Sequence, residues 1–184
     1  MHSGFYVDIG ANHPARLSNT WRLHCRGMRG VTVEPNRVLF SLHERFRAED
    51  VHLCAGAGER DGALNFYRMV PHPMSTFSAE QCEKNLAEGC RLLSRSLVPV
   101  LSVKTILESC SFPDRPIFAL LSVDTESLDE AVLRGNDWDR FRPILIEVES
   151  FDRGGAIRDL LIEKGYELLT STGHNDIYRL TQNA

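Results

Sequence analysis

The chain has no Cys-x-x-Cys pair, no basic excess, no long apolar run and no complete dinucleotide fingerprint. Each absence removes a class of function. The five cysteines, Cys25, Cys54, Cys82, Cys90 and Cys110, are scattered and odd in number. That pattern argues against a zinc knuckle or redox pair and for reduced, mostly buried thiols. A membrane span needs about 18 consecutive apolar residues, and the first residues lack the charged and apolar stretches of a signal peptide. The expectation is a soluble, cytoplasmic protein that engages no membrane. A net charge of -4 and a pI near 6.0 give no basic footprint, so no nucleic-acid partner is expected.

What is present fits an ordinary α/β domain. The chain has 184 residues, 42% hydrophobic and 25% charged, enough for one domain with a sizeable core. No repeat, low-complexity tract or linker divides it, so a single domain over 1–184 is expected. "FYVDI", "GVTVEP" and "DVHLCAGAG" read as three buried strands. Helical segments at "TWRLHCRG" and "VLFSLHERFR" alternate with them, which implies parallel pairing with right-handed crossovers. "GALNFYRM" alternates and suggests an edge strand or hairpin arm. The region from about 70 to 98 carries no clean pattern, and we expect an irregular inserted segment, with one helix, over the carboxyl ends of the sheet. The regular order resumes with a helix at "SVKTILESC", a strand at "IFALLSVD" and a helix at "ESLDEAVLRG". A strand at "RPILIEVES", a helix at "GAIRDLLIEKG" and a hairpin at "YELLTSTGHNDIYRL" follow.

Five parallel strands closed by an antiparallel hairpin predict a doubly wound, mostly parallel, Rossmann-like sheet of the class I methyltransferase type. Ligands of such sheets bind outside the carboxyl ends of the strands. The turn after the first strand reads Gly10, Ala11, Asn12, His13, Pro14 and lacks two glycines of G-x-G-x-x-G, while Pro14 has no N–H to offer an anion. It serves a pyrophosphate poorly and a sulfonium nucleoside adequately. Glu34 closes the second strand and can accept hydrogen bonds from both hydroxyls of a ribose, in NAD or S-adenosylmethionine alike. Ala55, Gly56 and Ala57 leave room for an adenine ring.

"FYVDIGANHP", "GVTVEP", "STFS" and "LLSVDTESLDEAVLRGNDWDRFRPILIEVE" together resemble the FkbM family of S-adenosylmethionine-dependent methyltransferases. Two positions depart from its usual pattern. Ser127 stands where the family usually has glycine, and Pro14 where many members have it. The resemblance implies O-methylation of a hydroxyl on a sugar or related small natural product. It also implies that Asp8 and Gly10 hold the methionine end of the cofactor and Asn12 shapes the turn. Glu34 would then bind ribose, Cys54 or Ala55 would lie near adenine, and Asp124 would face the methyl group.

A sugar hydroxyl is a weak nucleophile, so a base must help remove its proton. Asp124 is the first candidate, and His13 and His72 are the nearest imidazoles. Asp124 and Glu126 at one strand end, with Glu147 and Glu149 at the next, form an oxygen cluster of the kind that suits Mg²⁺. A metal-free site is expected, with Mg²⁺ as the alternative. The first strand starts almost at the first residue, so the inserted segment or a second copy of the chain is expected to close the site. Two other classes remain open: a nicotinamide-dependent oxidoreductase and a non-catalytic nucleoside-binding module of the same fold.

Overall fold

Strand β1 (Gly4–Ile9) is buried on both faces, because it runs through the middle of a sheet and pairs in parallel with a neighbour on each side. The computed structural model describes residues 4–110, 117–149 and 155–181. After β1 come α1 (Trp21–Cys25), β2 (Arg29–Val33), α2 (Arg37–Phe46) and β3 (Val51–Leu53). The chain then forms β4 (Gly56–Gly58), β5 (Gly62–Val70), a 3-10 turn at His72–Met74, α3 (Ala79–Ala87) and β6 (Arg91–Ser102). It continues through α4 (Val103–Ser109), β7 (Ile117–Val123), α5 (Asp129–Arg134), β8 (Leu145–Glu149) and α6 (Ala156–Glu163), and then β9 (Tyr166–Ser171) and β10 (Asn175–Leu180).

The main sheet has seven strands in the order β3-β2-β1-β7-β8-β10-β9. The first five are mutually parallel, and β10 runs antiparallel to both β8 and β9. The strand order reverses at β1, where the chain passes from β2 on one side to β7 on the other. Crevices at such a reversal are where open α/β sheets hold ligands. Val7, Ile9, Val31, Val33, Leu121, Val123, Ile146 and Val148 form the middle of the core, each almost wholly buried. Apolar side chains at alternate positions of four adjacent strands make one continuous apolar face.

Two readings of the sequence are corrected here. "DVHLCAGAG" is not one strand. β3 ends at Leu53, and Gly56–Gly58 crosses to a second, three-stranded sheet of order β4-β6-β5. The segment over 70–98 is also not irregular. It holds α3, capped by Ser78 Oγ on the Gln81 amide, and most of β6, paired antiparallel along the length of β5. β6 escaped notice because Arg91 to Leu97 are all exposed and its buried alternation begins only at Val98. Backbone hydrogen bonds to β5 hold it there.

No helix among the described residues is long and apolar enough to cross a membrane.

Candidate functional site

Three strand ends meet at one cavity. The Gly10 and Ala11 amides both donate to Val33 O, at 3.0 and 3.2 Å, and the Asp124 amide donates to Ile9 O at 3.0 Å. These bonds extend the β2–β1–β7 pairing beyond the strands, so that Gly10, Glu34 and Asp124 come to line a common space. Gly10 has φ +75°, a conformation glycine adopts without penalty.

Glu34 organises the rim. Its Oε2 accepts the Asn12 amide at 2.8 Å and its Oε1 accepts the Asn36 amide at 2.7 Å. Asn12 is held in the left-handed region at φ +47°, and its carbonyl pairs with His43 Nε2 at 2.8 Å. Burial lowers the His43 pKa to about 4, so the ring is neutral at physiological pH and Nε2 is the donor. Burial raises the Glu34 carboxyl to about 7 against the pull of its two amide donors. Each carboxylate oxygen has a further lone pair for a ligand hydroxyl. Asn36 caps α2 by accepting the Val38 amide at 3.1 Å, while its buried Nδ2 has no partner among the described residues.

Across the cavity lies a group of acids. Asp124, Glu126 and Glu149 each bring a carboxylate oxygen within 4.8 Å of the other two. Burial, then the charges of their neighbours, raises Asp124 to about 6, Glu126 to about 7 and Glu149 to about 8. Glu147, the fourth acid of the cluster read from the sequence, instead accepts a hydrogen bond from Asn175 Nδ2 at 2.8 Å. The turn that presents Glu126 has positive φ at two non-glycine residues, Glu126 at +52° and Ser127 at +108°.

The segment after β5 covers the opening. His72, Pro73, Ser75 and Phe77 line the cavity, and Thr76 Oγ1 donates to Glu126 O at 3.0 Å, fastening the cover to the end of β7. The Phe77 ring packs on Phe66 with centroids 4.9 Å apart and sits against Gly56. Beside the ring, the cavity offers about 70 Å³.

Of the residues singled out from the sequence, Gly10, Asn12, Glu34, Ala55, His72 and Asp124 line this cavity, and Asp8, His13 and Cys54 do not. Asp8 points to the opposite face of β1 from Val7 and Ile9. There it accepts a short hydrogen bond from Thr20 and lies 3.8 Å from Arg47 Nη1. Arg47 is fully buried and donates to Pro14 O, Ser18 Oγ and Thr20 Oγ1, so it holds the whole 14–20 loop from beneath. His13 turns into its own loop, where Nδ1 accepts the Ala15 and Arg16 amides. Cys54 faces a neighbouring cavity. Sequence reasoning missed Asn36 and Arg47, whereas Phe77 lies in the STFS stretch that carried the family resemblance. The Asn-x-Val start of a helix marked Asn36 as a cap, but nothing local marked Arg47.

A mostly parallel α/β sheet thus places a cavity rimmed by acids at its topological reversal, outside the carboxyl ends of its strands. The model of the methyltransferase FkbM domain matches residues 8–168, and the chain belongs to that family. No curated protein and no solved structure matches the chain.

Proposed function

We propose that the protein is an S-adenosylmethionine-dependent methyltransferase that methylates a hydroxyl of a small acceptor. The order β3-β2-β1-β7-β8-β10-β9, with β10 antiparallel, supports the class I methyltransferase arrangement. The observation that carries the reading is that Gly10, Glu34 and Asp124, closing three adjacent strands, line one cavity with Ala55, Gly56 and Ala57.

The donor set suits a sulfonium nucleoside. Glu34 would take the ribose hydroxyls, the unpaired Nδ2 of Asn36 stands beside it, and the small residues after β3 would accept the base. S-adenosylmethionine, when bound, supplies an activated methyl group. The protein's part is to orient the acceptor oxygen and remove its proton. Asp124, raised to about 6, is mostly ionised at neutral pH yet basic enough to accept that proton. His72 lines the same cavity and is the second candidate. Nothing in the family match or the cavity supports the nicotinamide alternative.

Calorimetry with S-adenosylhomocysteine and with NAD tests the reading. S-adenosylhomocysteine should bind and raise the melting temperature by mass action. A shift with NAD and none with S-adenosylhomocysteine overturns it. Asp124→Asn should retain S-adenosylhomocysteine and lower turnover by about 10²–10⁴-fold. Binding without turnover on any hydroxyl acceptor, in the unmodified protein, would identify a non-catalytic nucleoside-binding module.

A further inference from the structure

A second cavity, of about 340 Å³, shares Pro35, Asn36 and Phe66 with the first. The β5–β6 register explains its chemistry. Phe66 pairs with Ser96 and Arg68 with Ser94, so these four lie on one face of the hairpin. Tyr67 and Arg95 lie on the other face, where the Arg95 guanidinium sits 5.6 Å from the centre of the Tyr67 ring. The face bearing Arg68, Ser94 and Ser96 meets the N-terminus of α2, which adds Asn36 and Arg37. No carboxylate is among the lining residues.

The lining carries positive charge and no carboxylate, the nearby acids Glu34 and Glu44 lying outside it. Neither Arg37 nor Arg68 makes an ion pair among the described residues. Arg68 Nε is buried without a hydrogen-bond partner, and so is Nδ2 of Asn36, a residue only 2% exposed. A partly desolvated guanidinium without an acid is costly to maintain unless an anion completes it. The ten-residue α2 points its positive end at the same space. Donors therefore converge from a helix terminus, two arginines and two serine hydroxyls, in a protein whose net charge is -4.

We propose that this cavity is a binding site for a tetrahedral oxyanion, the phosphate or sulfate group of a ligand. Several donors arriving from three structural elements match an anion that accepts in several directions, and the arginines suit it for bidentate hydrogen bonding. The cavity adjoins the one proposed for methyl transfer and shares Asn36 with it, but its test needs no acceptor and no turnover.

Inorganic phosphate is titrated into the ¹⁵N-labelled protein in phosphate-free buffer at low ionic strength. The amides of Arg37, Arg68, Ser94 and Ser96 should shift together with one saturating dissociation constant. Arg68→Gln should weaken binding about tenfold or more, and Arg37→Gln should weaken it as a second, exposed variant. Arg95→Gln removes the same charge from the opposite face and should leave binding unchanged. A hexose phosphate that binds tighter than inorganic phosphate places the anion on a larger ligand, and equal binding assigns the site to the free ion. The proposal is overturned if the four amides do not saturate at millimolar phosphate. It is equally overturned if Arg95→Gln weakens binding as much as Arg68→Gln, since the attraction would then be diffuse.

Discussion

A β-carbon added at Gly10 would lie 1.8 Å from the carbonyl oxygen of Asp124. The ends of β1 and β7 therefore close on each other at a distance that only glycine permits, and this closure brings Asp124 to the cavity. Gly10→Ala must separate the two strand ends and also strain a φ of +75°. We expect a loss of at least about 2–3 kcal/mol of stability, read from denaturant unfolding. Unchanged stability would mean that the two ends part freely.

Ser127 occupies φ +108°, where a side chain is strained. Ser127→Gly should stabilise the protein by about 1 kcal/mol, because relief of strain exceeds the added freedom of the unfolded chain. Thermal melts measure this. A destabilised variant would show that the serine makes a contact worth more than its backbone strain.

Glu34 accepts two amides as well as facing the cavity, so Glu34→Gln replaces one acceptor oxygen with a donor that meets an N–H. The variant should lose about 1–3 kcal/mol of fold stability and also bind S-adenosylhomocysteine more weakly. Weaker binding with unaltered unfolding would assign Glu34 to the ligand alone.

The cavity beside the Phe77 ring offers about 70 Å³, whereas ligand sites usually offer about 300 Å³ or more. On the proposed reading, the ring moves from Gly56 when a nucleoside seats. Phe77→Ala should raise the association rate of S-adenosylhomocysteine severalfold in stopped-flow measurements. It should cost about 1–2 kcal/mol of stability, less than the loss of a fully buried ring. An association rate unchanged or slowed would remove Phe77 as the barrier.

The acids beside the cavity make stability depend on pH. Asp124, Glu126 and Glu149 are raised by burial and by neighbouring charge to about 6, 7 and 8. Unfolded, they would titrate near about 4, so the native state holds more protons across the interval between. Their contribution is complete below the unfolded values and is lost as pH rises through 6 to 8. The melting temperature of the ligand-free protein should fall across that window, and Glu149→Gln should make the fall shallower. A melting temperature that rises there, or an unaltered slope in the variant, would contradict the shifts.

The main sheet was legible because apolar runs such as Ile117–Val123, alternating with helical segments, leave few alternatives. The second sheet was not. β4 is Gly-Ala-Gly, and β6 is exposed over Arg91 to Leu97 and alternates only from Val98 to Ser102, which is too short for periodicity to mark the whole strand. At the site, Asp8 and Glu34 looked equivalent, each an acid at a strand end. They differ because Asp8 lies within β1 on the face opposite Ile9, where Arg47 and Thr20 meet it, whereas Glu34 lies one residue beyond β2. That distinction depends on partners 39 and 12 residues from Asp8 along the chain, Arg47 and Thr20, and no local window contains both.

The position of β10 between β8 and β9 imposes an order on assembly of the sheet. When β9 emerges from the ribosome, the strand that joins it to the rest of the sheet has not yet been made. The free edge of β8 must wait for Asn175–Leu180, and so must the Asn175 amide that restrains Glu147. Because domains fold largely as units, the acidic wall of the cavity takes its final shape only with the last strand, however early Gly10 and Glu34 are translated.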